Sequence, residues 1–275
     1  MSLEDFGKIV GDLPASISMV YLYLSGEPLM HPNCFDMVSV LSQRGLRSCI
    51  STNGTMLEGQ IENILDSKLS EIIISLDGAT EATYQKYRVG GDFPKLLTAI
   101  RRLVRERRER KIFNPKIVLQ CIVMRSTEPE LDLVVQLAKE LEVDVLSLVS
   151  VSLGTHRTEE QERGRLAESF LPRSSSIIRY ERDGAGRWAL KWRHRYCASW
   201  RQPVVLWNGD MTACCFDHNG LEVYGNAVSN KLSDVWLGAD HADSLRKILF
   251  RDMGICRTCG ITSGDENRSF AVGSL

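Results

Sequence analysis

Five of the chain's eight cysteines fall in its last third: Cys197, Cys214, Cys215, Cys256 and Cys259. The last two form Cys256-Arg-Thr-Cys259, a Cys-x2-Cys knuckle that offers two sulfurs to one metal centre from a single tight turn. With Cys197 and the Cys214-Cys215 pair, residues 197–259 supply at least four thiolates. Four thiolates suit either zinc or an iron–sulfur centre, and spacing does not choose between them. Cys34, Cys49 and Cys121 stand singly in apolar or helical stretches and read as small buried hydrophobes. The five histidines (His31, His156, His194, His218 and His241) show no paired motif, so histidine acid–base chemistry is not indicated.

A second set of chemical groups follows the apolar runs of the first half. Ser25-Gly26-Glu27-Pro28-Leu29 comes after the run at 19–24. Its glycine lets backbone approach a ligand, and its glutamate neighbours free backbone groups that can pair with an amino acid. Ser51-Thr52-Asn53-Gly54-Thr55 ends the next run, with hydroxyls and an amide suited to sugar hydroxyls or a carboxylate. Ser75-Leu76-Asp77-Gly78 ends the third, and Arg88 follows in a glycine-rich stretch that could clamp a carboxylate. Each alone reads as a turn. Three in succession point to one shared pocket.

The elements that must position these groups alternate between strand and helix. Strands are predicted at 19–24, 46–51, 71–76, 116–123 and 144–149, from short apolar runs. Helices are predicted at 32–44, around 61–65, from Thr80, at 93–110 and around 131–141, from apolar positions at helical spacing. The repetition argues parallel β/α units with right-handed crossovers, as a partial barrel or an open sheet. In both, ligands bind beyond the C-terminal ends of the strands. Residues 152–176 turn polar and read as a linker. Hairpins are predicted at 177–192 and, around Asn208-Gly209, at 204–214. Residues 231–250 read as largely helical, and the tail reads as flexible.

Composition closes off several classes. The formal net charge is −1, which argues against a basic nucleic-acid binder. The arginine-rich stretch at 101–111 is interleaved with Glu106 and Glu109 and reads as a solvated helix face. No apolar run is long enough to span a membrane, and the first residues do not read as a signal peptide. The expectation is a cytoplasmic protein with no nucleic-acid or membrane partner.

Together these residues resemble the radical S-adenosylmethionine (SAM) family. Ser25-Gly26-Glu27-Pro28-Leu29 with His31-Pro32 is similar to that family's GGEPLLHP segment, and Ser51-Thr52-Asn53-Gly54 and Ser75-Leu76-Asp77-Gly78 resemble its next two strand ends. Cys197, the Gly209–Cys214 spacing and Cys256/Cys259 resemble the SPASM, or shorter twitch, extension that carries auxiliary [4Fe-4S] clusters. The resemblance implies an α/β fold. It comprises a partial (β/α) barrel lacking its first strand over 1–150, a linker and hairpin over 151–192, a small α+β SPASM/twitch-like domain over 193–262, and a tail over 263–275. It also implies cofactor contacts from Gly26, Glu27, Ser51, Asn53, Ser75, Asp77 and Arg88 to SAM. One auxiliary cluster would sit on Cys197, Cys214, Cys256 and Cys259. Cys215 and Asp217 are the catalytic candidates, and either neighbour of the Cys214-Cys215 pair could be the ligand.

The family's Cys-x3-Cys-x2-Cys, which holds the SAM-cleaving cluster, is absent from the sequence, as is the later cysteine set of full SPASM domains. The expectation is therefore a chain shortened at its N-terminus that does not cleave SAM as it stands. In complete form it would use SAM and [4Fe-4S] clusters for oxidation or crosslinking of a peptide or protein, with ferredoxin or flavodoxin as reductant. The alternative is a degenerate homologue, or a peptide-binding module with a structural zinc or iron–sulfur site.

Overall fold

The computed structural model describes residues 1–153, 158–173, 177–191, 202–250, 252–253, 256 and 267–275. Ser2 opens helix α1 (Leu3–Gly11): its hydroxyl accepts the Asp5 N–H at 3.0 Å, and Phe6, Ile9 and Val10 are buried. The sequence reading assigned no element here, although Ser2 and Asp5 at capping spacing before an apolar stripe are a start signal.

Five parallel strands follow in spatial order: β1 (Met19–Tyr21), β2 (Arg47–Thr52), β3 (Glu71–Ser75), β4 (Lys116–Val123) and β5 (Val145–Ser150). The intervening helices are α2 (Cys34–Gln43), α3 (Leu57–Asp66), α4 (Glu81–Tyr87), α5 (Phe93–Glu109) and α6 (Leu131–Glu140). This is the partial (β/α) barrel arrangement the sequence predicted.

Side chains alternate across a strand, so each strand has two different faces. Ile50, Ile72, Ile74, Leu119, Cys121 and Leu146 share one buried cluster with Ile61, Ile64, Leu96, Ile100, Leu103 and Ala138 of the helices. That face is the core. The register runs Ser51 opposite Ile73, Ser75 opposite Gln120, and Gln120 opposite Ser147. These residues lie on the opposite, polar face. The arginine-rich run of α5 is spent on ion pairs, with Arg102 at 2.8 Å from Glu58 and 2.6 Å from Glu106, and Arg110 at 2.7 Å from Asp66.

Beyond the sheet, α7 (Glu160–Phe170) occupies much of the predicted linker. Its Ala167, Leu166 and Phe170 pack with Met124, Val151 and Tyr180. The hairpins are present as β6 (Tyr180–Arg182) with β7 (Trp188–Leu190), and β8 (Val204–Val205) with β9 (Asp210–Thr212). A third strand, β10 (Val223–Asn226), joins β9, followed by α8 (Leu232–Trp236) and α9 (Ala239–Leu249). The tail expected to be flexible is instead strand β11 (Arg268–Ala271), antiparallel to β5, with Ser269 opposite Ser147. Phe270 and Val272 pack against the main cluster, so apolar burial holds a segment whose polar composition suggested fraying. Among the described residues, no helix is long and apolar enough to cross a membrane.

Candidate functional site

The strand ends converge through backbone register and two carboxylates. Gly26 adopts φ +84°, and a Cβ there would meet nothing within 4 Å. The turn is thus left-handed, with open space beside it. Glu27 accepts the Leu29 N–H at 3.2 Å and the Asn53 N–H at 2.7 Å, tying the loop after β1 to the loop after β2. The Asn53 side-chain oxygen accepts from the Thr55 amide and hydroxyl at 2.9 and 2.7 Å. Its NH2 group donates to none of the described residues. Nor do the hydroxyls of Ser51 and Ser75 bond to any of them, although Ser75 is buried. Unspent donors on one sheet face are what a polar ligand would satisfy. Gln120, opposite Ser75 on that face, belongs with them and was missed. Its signal was the alternation Lys116, Val118, Gln120, Ile122 along β4.

Asp77 and Arg88 are arranged otherwise than expected. Asp77 is fully buried, accepts the Ile122 N–H at 2.8 Å, and holds Arg88 at 2.7 and 2.6 Å. Burial pushes its carboxyl up, while Arg88 and the Ile122 amide pull it back down. Both Asp77 oxygens are therefore taken by the protein, so it braces Arg88 rather than lying open to a cofactor. The carboxylate that Arg88 clamps is internal. Glu130 braces the same segment from after β4, accepting from Ala79 N at 3.0 Å, Thr80 Oγ1 at 3.0 Å and Thr83 Oγ1 at 2.6 Å.

Two of the four expected thiol ligands are described, and they lie in one buried cluster: Cys214 and Cys256, with Met211, Tyr224, Leu232 and Met253. Cys214 Sγ accepts the Phe216 N–H at 3.4 Å. Cys197 and Cys259 lie outside the described residues, and no three ligating groups converge among those that are described. The chemistry of the pair fits an iron–sulfur centre, whose sulfurs are held in apolar burial and tuned by amide hydrogen bonds.

Cys215, by contrast, is exposed. It lies near enough to Tyr23 to help raise that phenol's pKa, after burial and with Cys49, Tyr21 and Glu71. Asp217 is fully buried, accepting Leu221 N at 2.9 Å and Glu222 N at 2.8 Å, so its carboxylate is committed to its own loop. The residues present do not fit a SAM-cleaving cluster. Cys34, Cys49 and Cys121 are all buried, burial being the main cause that pushes the first two up to about 11 and about 12 and the third up as well, and the sequence holds no Cys-x3-Cys-x2-Cys run.

The Radical SAM superfamily model matches residues 1–134, and the SPASM iron–sulfur cluster-binding domain matches residues 197–260. The chain belongs to the radical SAM superfamily and carries a C-terminal SPASM domain. For a radical SAM/SPASM chain, SAM and iron–sulfur clusters are the implied cofactors. An AdoMet-dependent heme synthase of Methanosarcina barkeri is 34% identical over 140 residues, which is 50% of this chain but only 38% of that protein's own length. The tungsten-containing aldehyde ferredoxin oxidoreductase cofactor-modifying protein of Pyrococcus furiosus is 26% identical, covering 86% of this chain and 72% of its own. Among solved structures, Streptococcus suis SuiB bound to precursor peptide SuiA shares the fold, at TM-score 0.62 and 13% identity, covering 93% of this chain and 63% of that one.

Proposed function

We propose that this chain binds SAM at the ends of β1–β4 and holds one auxiliary [4Fe-4S] cluster on Cys197, Cys214, Cys256 and Cys259, and that the complete form, with a SAM-cleaving cluster, acts on a peptide or protein side chain. The observation that carries the reading is the set of unspent donors of Ser51, Asn53 and Ser75 at the strand ends, of which Ser75 is buried. In a complete protein that also holds a SAM-cleaving cluster, bound SAM would supply radical hydrogen-atom abstraction, and the auxiliary cluster would supply one-electron transfer. The chain's own residues do the positioning. Glu27, whose two carboxylate oxygens hold the Leu29 and Asn53 amides, fixes the loops around an amino group, while Ser51, Asn53, Ser75 and Gln120 bind hydroxyls and carboxylate. Cys215 holds or moves a proton at Sγ beside the substrate. The peptide class of substrate is taken from SuiB, a structural neighbour solved with a precursor peptide. A ferredoxin or flavodoxin would deliver the electron. Because no Cys-x3-Cys-x2-Cys occurs in these 275 residues, reductive SAM cleavage by this chain alone is not expected.

Anaerobic purification, reconstitution with iron and sulfide, and metal analysis test this reading. The expected product is brown, with about four irons and a broad band near ~400 nm. Cys214→Ala and Cys256→Ala should lose most of the iron, and Cys215→Ala should keep it. A colourless protein with one zinc would replace the cluster with a structural site. Ser75→Ala should weaken SAM binding by about tenfold in calorimetry, equal to roughly 1.4 kcal/mol. 5′-Deoxyadenosine formed under dithionite would overturn the expectation about cleavage.

A further inference from the structure

Cys214 and Cys215 are neighbours in the chain, yet only Cys214 is buried in the apolar cluster that holds Cys256, while Cys215 is exposed. The strand that leads into them points the other way. Side chains alternate along a strand, and Met211 and Ala213 both enter that cluster. Carried on by one more period, the same alternation would turn Cys215 inward and Cys214 outward. The backbone after β9 reverses the pleat.

The reversal is a double turn built on Asp217. The Asp217 N–H donates to Cys214 O at 2.9 Å, and the Gly220 N–H donates to Asp217 O at 3.1 Å. The Thr212 hydroxyl donates to the same Cys214 carbonyl at 3.4 Å. The Asp217 carboxylate reaches across to the residues just before β10, accepting the amides of Leu221 at 2.9 Å and Glu222 at 2.8 Å. The first turn also brings the Phe216 N–H onto Cys214 Sγ at 3.4 Å. Asp217 is fully buried, and among the described residues no arginine or lysine pairs with it. A buried charge contributes little net stability, and its best-attested use is to fix one arrangement against a close rival. The rival here is the adjacent sulfur.

We infer that Asp217 is a positioning residue that selects Cys214 over Cys215 as ligand of the metal centre and leaves the Cys215 thiol outside it. The inference rests on the metal-centre reading proposed above. It holds for an iron–sulfur cluster and for zinc alike, and its effect on the two sulfurs is present in the metal-free chain. The two readings can therefore fail separately.

The test is pulse alkylation of the chelator-treated full chain with iodoacetamide, with tandem mass spectrometry locating the label. Cys215 should react at least about tenfold faster than Cys214, because an exposed thiol outpaces a buried one. In Asp217→Ala that ratio should fall to about twofold or less, as the turn loses both amide contacts. Asp217→Asn, which keeps one acceptor oxygen of the two, should give an intermediate ratio. Asp12→Ala, which removes a cap outside this loop, should leave the ratio as in wild type. Circular dichroism checks that each variant is folded, and if Asp217→Ala is not, Asp217→Asn decides. Metal counts after reconstitution give a second readout. Cys214→Ala alone should lose the metal and Cys215→Ala alone should keep it. With Asp217→Ala added, the two should hold metal within about twofold of each other, as expected for coupled sites. A ratio unmoved by the Asp217 variants, or moved equally by Asp12→Ala, would overturn the proposal. A wild-type chain that takes up no metal would sink the earlier reading, and the alkylation ratio would still judge the hold of Asp217 on the turn.

Discussion

Asp77 carries a buried charge that one arginine and one backbone amide sustain. Removing the arginine leaves the charge in place without its partner. In Arg88→Ala, burial would then hold the Asp77 carboxyl further above its unfolded value. A folded-state pKa above the unfolded one means stability falls as pH rises through that interval. The variant should therefore trail wild type most at neutral pH, by about 2–4 kcal/mol in urea unfolding, and recover ground as pH drops toward the carboxylate range. A gap that does not change with pH would contradict the assignment. At this scale the sequence was legible where a group's job is local. Ser51, Asn53 and Ser75 could be read from strand ends. Asp77 could not, because its partner Ile122 N–H is 45 residues away and only sheet register brings the two together. Gln120 hid inside an apolar run, where one polar residue looks like noise until the pleat assigns it a face.

Helix α4 shows how an element is fixed from outside itself. Thr80 caps it by accepting the Thr83 N–H at 3.3 Å, a signal the sequence displays. Glu130 adds a cap from a different β/α unit, which the sequence does not display. Burial would raise the Glu130 carboxyl, but the Thr83, Ala79 and Thr80 donors outweigh it and lower it below its ordinary 4.5. A depressed carboxylate stabilises above the unfolded pKa and loses that contribution as pH falls through the folded one. Glu130→Gln should thus cost about 1–3 kcal/mol at pH 7, and the difference from wild type should shrink below about pH 4.5, as followed by thermal melts. Gly78 belongs to the same packing: a Cβ there would stand 2.5 Å from Tyr84 N, so its place in the Ser-Leu-Asp-Gly end is explained by helix contact. Elements with a strong apolar period, such as α5 and β4, were legible. α7 was not, because few of its positions are apolar and its Ala167 and Phe170 find their cover in distant Met124 and Tyr180.

Across the whole molecule, α1 joins the two halves. Phe6 and Val10 pack with Met37 and Leu41 of α2, while Ile9 enters the cluster that holds Cys214 and Cys256. Asp12 accepts the Ser233 N–H at 2.8 Å and so caps α8 in trans. Asp12→Ala should lower stability by about 1–2 kcal/mol, read as an earlier urea midpoint for iron-site absorbance and circular dichroism together. Shift of one signal alone would show that the halves unfold independently. Such long-range ties are invisible to local pattern, and so was β11, whose four residues form a strand only because β5 offers an edge. That edge has a further meaning. Ser150, at the end of β5, donates its N–H to the Asn267 side chain at 2.9 Å across 117 residues of chain. The segment between them leaves the sheet and returns to the same point. A turn of about 2–5 residues would bridge the gap. The stretch between them is thus inserted into the sheet at a single point, and taking it away would uncover Ile9 and Met124, which it now helps to bury.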